Sequence, residues 1–233
     1  MQEAPLPSQC LLPGPVVDSD HPDVVELSRS LVAGRDGDID KAVSLYYWSR
    51  DQIRYNPYNL ELSVEGLSAS RTLTTGEGWC VAKAILLAAL CRAAGIPARL
   101  GYADVRNHLS TARMRAAMNS DVFYYHGYTS IYLEGQWVKA TPAFNIELCE
   151  KFGLRPLEFD GREDSLYHEF DVAGHRHMEY LSERGEFVEV PLADMIDLFR
   201  QQYPGLVDNS TGGSAMTEGD WDADVAREAS QCN

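Results

Sequence analysis

The amino-acid sequence predicts an α+β fold in which a buried helix opening on a cysteine packs against an antiparallel sheet. Two stretches carry that expectation. Cys80 to Ala94 is apolar nearly all round, with Val81, Ala82, Ala84, Ile85, Leu86, Leu87, Ala88, Ala89 and Leu90 leaving almost no polar face, which marks a helix enclosed by a core. Val122 to Leu133 and Gln136 to Thr141 read as two strands, and Glu134-Gly135 between them has the composition of a tight hairpin turn. At about 150 residues per domain the chain allows one catalytic-sized unit with additions.

Met1 to Pro15 carries four prolines, which withhold backbone donors from any ladder, so residues 1–17 are expected to form a surface arm. Asp23 can cap a first helix running to about Ala33, closed by Gly34. Asp38 can cap a second, whose apolar positions Ala42, Val43, Tyr46, Tyr47 and Ile53 follow the helical period, and Asn56-Pro57 ends it. The buried helix stops at Gly95, with Pro97 just beyond. Ile96 to Tyr102 then reads as a strand, and Asn107 to Asn119 as a short helix or loop excursion. After the hairpin the texture stays globular to about Leu206, with a Gly-turn hairpin expected around Arg184-Gly185 and a helix near Ala193 to Gln202. The domain therefore spans 18–206, as a core over 18–145 and an extension over 146–206. Residues 207–233 hold six acids and one base and are expected to be an acidic tail with at most one short helix.

A formal charge of -15, with no Lys/Arg cluster, is the wrong balance for a phosphate-backbone binder, so neither nucleic acid nor an anionic membrane is an expected partner. The longest apolar run, Ala84 to Cys91, falls far short of the roughly 20 residues that span a bilayer. The N-terminus lacks the positive start and apolar stretch of a secretory signal, which points to the cytoplasm. Five cysteines at wide, irregular spacing fit no disulfide framework and no CxxC metal pair, and reduced thiols are expected. His175 and His177, with His168 and Asp171 nearby, have a spacing that could hold zinc, but such a set in a polar segment reads more simply as a solvated edge, so neither metal nor cofactor is expected.

Cys80 follows Gly76-Glu77-Gly78-Trp79 and opens the buried helix, where its thiol would face unpaired N–H groups and the positive end of the helix dipole. That placement favours the thiolate, the form that attacks. Packing is the competing explanation, as for Cys91 in the same helix. In Val122 to Leu133, alternation puts His126, Tyr128, Ser130 and Tyr132 on one face and Tyr125, Gly127, Thr129, Ile131 and Leu133 on the other. A neutral imidazole beside a thiol is the general base of a Cys/His pair.

Taken together, Gly78-Trp79-Cys80 entering a helix, Gly95-Ile96-Pro97-Ala98-Arg99 after it, His126 in an aromatic strand and Glu134-Gly135-Gln136-Trp137-Val138 resemble the transglutaminase-like superfamily, and within it the small bacterial cysteine proteins of papain-like ancestry. The resemblance runs from about Asp18 to Asn145 and implies acyl chemistry on an amide of a peptide or protein substrate. Cys80 would attack, and His126 would take and return the proton. Hydrolysis, as by a protease or amidase, is the first reading; amine transfer, as by a transglutaminase, is the second; a catalytically silent peptide-binding module is the third.

That family usually carries Asp in an Asp-Pro pair to orient the histidine, whereas this chain has Thr141-Pro142. If the loop is Glu134 and Gly135, Leu133 faces Gln136 and Tyr128 faces Thr141, which makes His126 and Thr141 diagonal neighbours about 7–8 Å apart. Thr141 thus takes the orienting position without a charge to stabilise an imidazolium. Asn145 and Asp160 are alternative orienting residues. The resemblance also implies an oxyanion hole made by the Cys80 N–H and an upstream aromatic, for which Tyr55 is the first candidate and Trp48 the second.

Overall fold

Every residue from Cys80 to Arg92 is buried, and the rest of the fold is arranged around the helix they form. The structure is a computed structural model and describes residues 5–107, 110–166, 174, 178–206 and 219–231. A 3-10 turn at Pro7–Leu11 precedes α1 (Pro22–Val32), α2 (Asp38–Gln52), the two-residue strand β1 (Arg54–Tyr55), α3 (Val64–Leu67), α4 (Ala69–Thr75), β2 (Glu77–Gly78) and the central helix α5 (Cys80–Ala93). After it come β3 (Ala98–Asn107), α6 (Ala112–Met118), β4 (Val122–Leu133), β5 (Gln136–Ala140), α7 (Ile146–Phe152), β6 (Met178–Phe187), α8 (Leu192–Gln202) and α9 (Trp221–Gln231).

Four strands form one antiparallel sheet in the order β5-β4-β3-β6. The predicted hairpin is present in the predicted register, with Leu133 opposite Gln136, because Glu134 (φ 48°) and Gly135 (φ 89°) both take the left-handed backbone that a two-residue turn demands. α5 lies on this sheet through β4: the Thr129 hydroxyl donates to the Ala84 carbonyl at 2.8 Å. Close approach is possible because Gly127 has no side chain, since a Cβ there would come within 2.9 Å of Val81 Cα. β1 and β2 pair in parallel, with Tyr55 opposite Gly78, and so set Tyr55 beside the entry to α5.

Several elements depart from the sequence reading. The ring of His21, not Asp23, caps α1 by accepting the Asp23 N–H at 3.3 Å, and Gly37, not Asp38, sits at the cap of α2; both aspartates instead fall in the first helical turn, where their charge suits the dipole. β3 continues to Asn107 because it has a second partner, β6. Arg184-Gly185 is not a hairpin: β6 runs straight through it, and Gly185 (φ 103°) absorbs an irregularity in the β3–β6 ladder. The N-terminal arm exposes Leu6 and Leu12 and buries Cys10, Val16 and Val17. Within the acidic C-terminal stretch, α9 packs Trp221 and Val225 into the body. Among the described residues no helix is long and apolar enough to cross a membrane.

Candidate active site

Cys80 is the first residue of α5, placed there by the extended backbone of Trp79. Backbone N–H groups of Gly127, Val81 and Cys80 itself all favour the charged form of its sulfur, as the sequence led us to expect. Burial is the larger effect. It pushes the thiol up to about 11, so the closed site holds a neutral thiol where the sequence suggested a thiolate.

His126, on β4, shares a hollow with Cys80. Tyr55, Trp79, Met114, Met118, Phe199 and Tyr203 are among the residues that enclose it. The free space is about 30 Å³, enough for roughly one or two waters and far too little for a peptide. Cys80 is 6% and His126 7% exposed. On its other flank His126 lines a second small hollow together with Thr141, Phe144, Leu157 and Met178. His126 thus lines one hollow with Cys80 and another with Thr141. The Thr141 hydroxyl finds no hydrogen-bond partner among the described residues, although its backbone N–H donates to Ser165 O at 2.8 Å.

The strand is irregular immediately before the histidine. The β3–β4 register shifts between Ala103 and Val105, and Tyr125 takes a φ of 56°, unusual for a bulky residue. Asp104 fills the gap by accepting the Tyr125 N–H at 3.3 Å and the Ser182 hydroxyl at 3.0 Å. Arg184 closes a bidentate pair on the same carboxylate, at 2.5 and 2.8 Å, and stacks on the Tyr125 ring. Neither Asp104 nor Arg184 was signalled as part of the site by the sequence, where Asp104 falls just past the expected strand and Arg184 in the expected turn.

Of the other residues singled out, Tyr55 does reach the site. Burial holds its phenol well above the usual range, with Cys80 adding to the effect, so it persists as a neutral donor. Trp48 packs on the core and does not line the Cys80 hollow. Asn145 caps α7 by backbone, and its side-chain oxygen accepts the Tyr55 N–H at 3.2 Å, which ties it to Tyr55 rather than to the His126 hollows. Asp160 is exposed in a turn, held below the usual carboxylate range by the N–H groups of Glu163 and Arg162, and lines neither hollow. His168, Asp171, His175 and His177 lie outside the described residues, and among the described residues no cluster of three or more metal-ligating side chains occurs.

Comparison with solved structures finds a candidate cysteine protease from Cytophaga hutchinsonii, 21% identical, with a TM-score of 0.45 over 76% of this chain and 53% of that one. A candidate protease from Parabacteroides distasonis is 14% identical, with a TM-score of 0.37 over 51% of this chain and 22% of that one. The chain spans about half the length of the first. No curated protein matches it. The profile of the transglutaminase-like superfamily, however, matches residues 25–142, just over half of the chain. That segment ends one residue past Thr141 and so contains Cys80, His126 and the position beyond His126 in a single stretch, which makes the chain a member of the transglutaminase-like superfamily.

Proposed function

We propose that the protein is a cysteine acyl enzyme that hydrolyses an amide or peptide bond through a thioester on Cys80. The observation that carries this reading is the shared hollow of Cys80 and His126 at the start of α5. His126 takes the thiol proton as Cys80 Sγ bonds to the substrate carbonyl carbon. The oxyanion that forms is met by the Cys80 N–H and, from across the hollow, by the Tyr55 hydroxyl. His126 then protonates the departing amine as the C–N bond breaks, leaving the thioester. Water, deprotonated by His126, attacks the thioester, and the product acid leaves as the thiol is restored.

Thr141 is the orienting residue in this scheme. Its hydroxyl, which bonds neither His126 nor any other described residue here, would accept the imidazole N–H only on turning toward it and carries no charge, so the imidazolium is less stabilised than beside a carboxylate and turnover should be slow. The same feature, with a neutral Cys80 in a closed hollow, favours a second reading in which the cleft binds peptide without altering it.

Incubation with a diverse peptide pool, with and without a primary amine, followed by mass analysis separates the outcomes. Cleaved or deamidated products that vanish in Cys80→Ala support the hydrolase. Amine adducts would make the protein a transferase, and retained but unaltered peptides a binding module. Turnover that survives Cys80→Ala would place the active site elsewhere.

A further inference from the structure

One wall of the Cys80 hollow is gripped from outside by α9. Met114 and Met118 of α6 line the hollow, and the residues around them are held by acids of α9. Asp224 accepts from Arg113 at 2.8 Å, and Glu228 accepts from the Ala112 N–H at 2.6 Å and pairs with Arg115 at 3.6 Å. The other wall is held in the same way. Asp222 pairs with Arg54 at 2.8 Å and with Lys151 at 3.8 Å, and the Tyr58 hydroxyl donates to Asp224 at 2.9 Å. Between the two walls Trp221 inserts edge-on against Tyr55 and Tyr58, at 5.7 and 5.3 Å between ring centres. Gly219 lies flat on the Tyr58 ring, where a Cβ would come within 2.9 Å.

In a chain of formal charge -15, four bases thus converge on one aromatic-walled seat beside the nucleophile, and what fills it is an acidic helix with a tryptophan anchor. We propose that this seat is the subsite for an acidic peptide segment bearing an aromatic anchor, and that α9 fills it in cis, holding α6 against the Cys80 hollow. The proposal rests on the reading of Cys80 as the nucleophile. A segment replacing α9 would lie against Tyr55, the wall shared by seat and hollow.

The seating of α9 is suited to displacement. The Trp221 indole N–H is buried and meets no acceptor among the described residues, which weakens its hold. Arg54, Arg113 and Arg115 are each about half exposed, so their pairs with α9 are open to screening by salt.

The test uses a fluorescein-labelled peptide of residues 219–231 added to the full chain, read by anisotropy, with iodoacetamide labelling of Cys80 followed by mass. Neither measurement needs turnover, so failure of the subsite and failure of the enzyme reading remain distinguishable. In Trp221→Ala/Asp222→Asn/Asp224→Asn, where α9 is released, the peptide should bind about tenfold tighter than to the unaltered protein, whose own α9 competes. Cys80 should label about tenfold faster there, and unlabelled peptide should slow it again. Adding Arg113→Glu should abolish the gain in binding. Equal peptide binding with and without the release, or unchanged Cys80 labelling, overturns the proposal. If the released protein labels Cys91 and Cys149 as fast as Cys80 it has unfolded, and the unaltered protein in about 0.5 M salt decides instead. Faster labelling of Cys80 alone supports the subsite, and no change refutes it.

Discussion

The carboxylate of Asp104 on β3 accepts the backbone N–H of Tyr125 on β4, one residue before His126. Tyr125 holds a left-handed φ of 56°, a conformation that costs about 1–3 kcal/mol outside glycine and persists only where its surroundings impose it. Asp104 also receives Ser182 and Arg184 of β6, so one side chain ties three strands at the point where the histidine is aimed. Asp104→Asn should cost about 2 kcal/mol in denaturant unfolding, since it strips Arg184 of its counter-charge. It should also lower any Cys80-dependent turnover more than Ser182→Ala does. Unfolding and turnover both equal to the unaltered protein would show that Tyr125 keeps its backbone without the carboxylate.

Gly127→Ala tests the contact between strand and helix. The added methyl would fall 2.9 Å from Val81 Cα, a backbone atom that cannot swing aside, so β4 and the start of α5 must part. The expected loss is about 1–3 kcal/mol, as for other overpacked sites. Cys80 should lose the Gly127 N–H as a neighbour, and the pH midpoint of its alkylation should rise.

Substitutions at Thr141 separate orientation from packing. Its hydroxyl bonds nothing among the described residues, so Thr141→Val should leave stability unchanged or raise it by up to about 1 kcal/mol, while Cys80 reactivity falls modestly. Thr141→Asp would set a carboxylate beside His126 and favour the imidazolium, so Cys80 alkylation should extend to lower pH. No response in either variant would remove Thr141 from the orienting position.

Lys83, one turn beyond Cys80, is fully buried, and its ammonium donates to the carbonyls of Arg50 and Ile53 at 2.8 and 2.5 Å. Burial pulls it down to about 7 from an ordinary 10.5. Between those values the unfolded chain holds a proton the folded one lacks, so this group makes stability rise with pH, by at most about 1.4 kcal/mol per unit. Below pH 7 both states are protonated and its slope vanishes. Unfolding of the unaltered protein and of Lys83→Met, compared between pH 7 and 9, should show their difference changing in that sense. A constant difference would mean that Lys83 stays charged throughout.

What could be foreseen followed from local chemistry. The hairpin and its register were legible because Glu134-Gly135 favours a tight two-residue turn and the runs on either side of it are rich in strand-forming residues. Cys80 was legible as the opening of a helix with no polar face. The neutral state of its thiol was not, because desolvation depends on Phe199 and Tyr203, more than a hundred residues away in the chain. β6 was misread because a glycine in a bulge and a glycine in a turn look alike in sequence. The docking of α9 was not foreseen, because the surplus of acids over 207–233 marked a tail, although Trp221 and Val225 at i and i+4 mark its buried stripe.

Arg92, at the far end of α5 from Cys80, donates to the carbonyls of Ala98, Leu12 and Val188. One guanidinium thereby joins the start of β3 to the N-terminal arm and to the segment after β6. Two of those three partners lie outside residues 25–142, as does the whole of β6, which covers an edge of β3. A fragment cut at the family's borders would leave Arg92 buried with donors unanswered and β3 with an open edge able to recruit another chain. The stretch that the superfamily's profile matches is therefore smaller than the packed body, and in this chain the flanking segments close the sheet that the matched middle leaves unfinished.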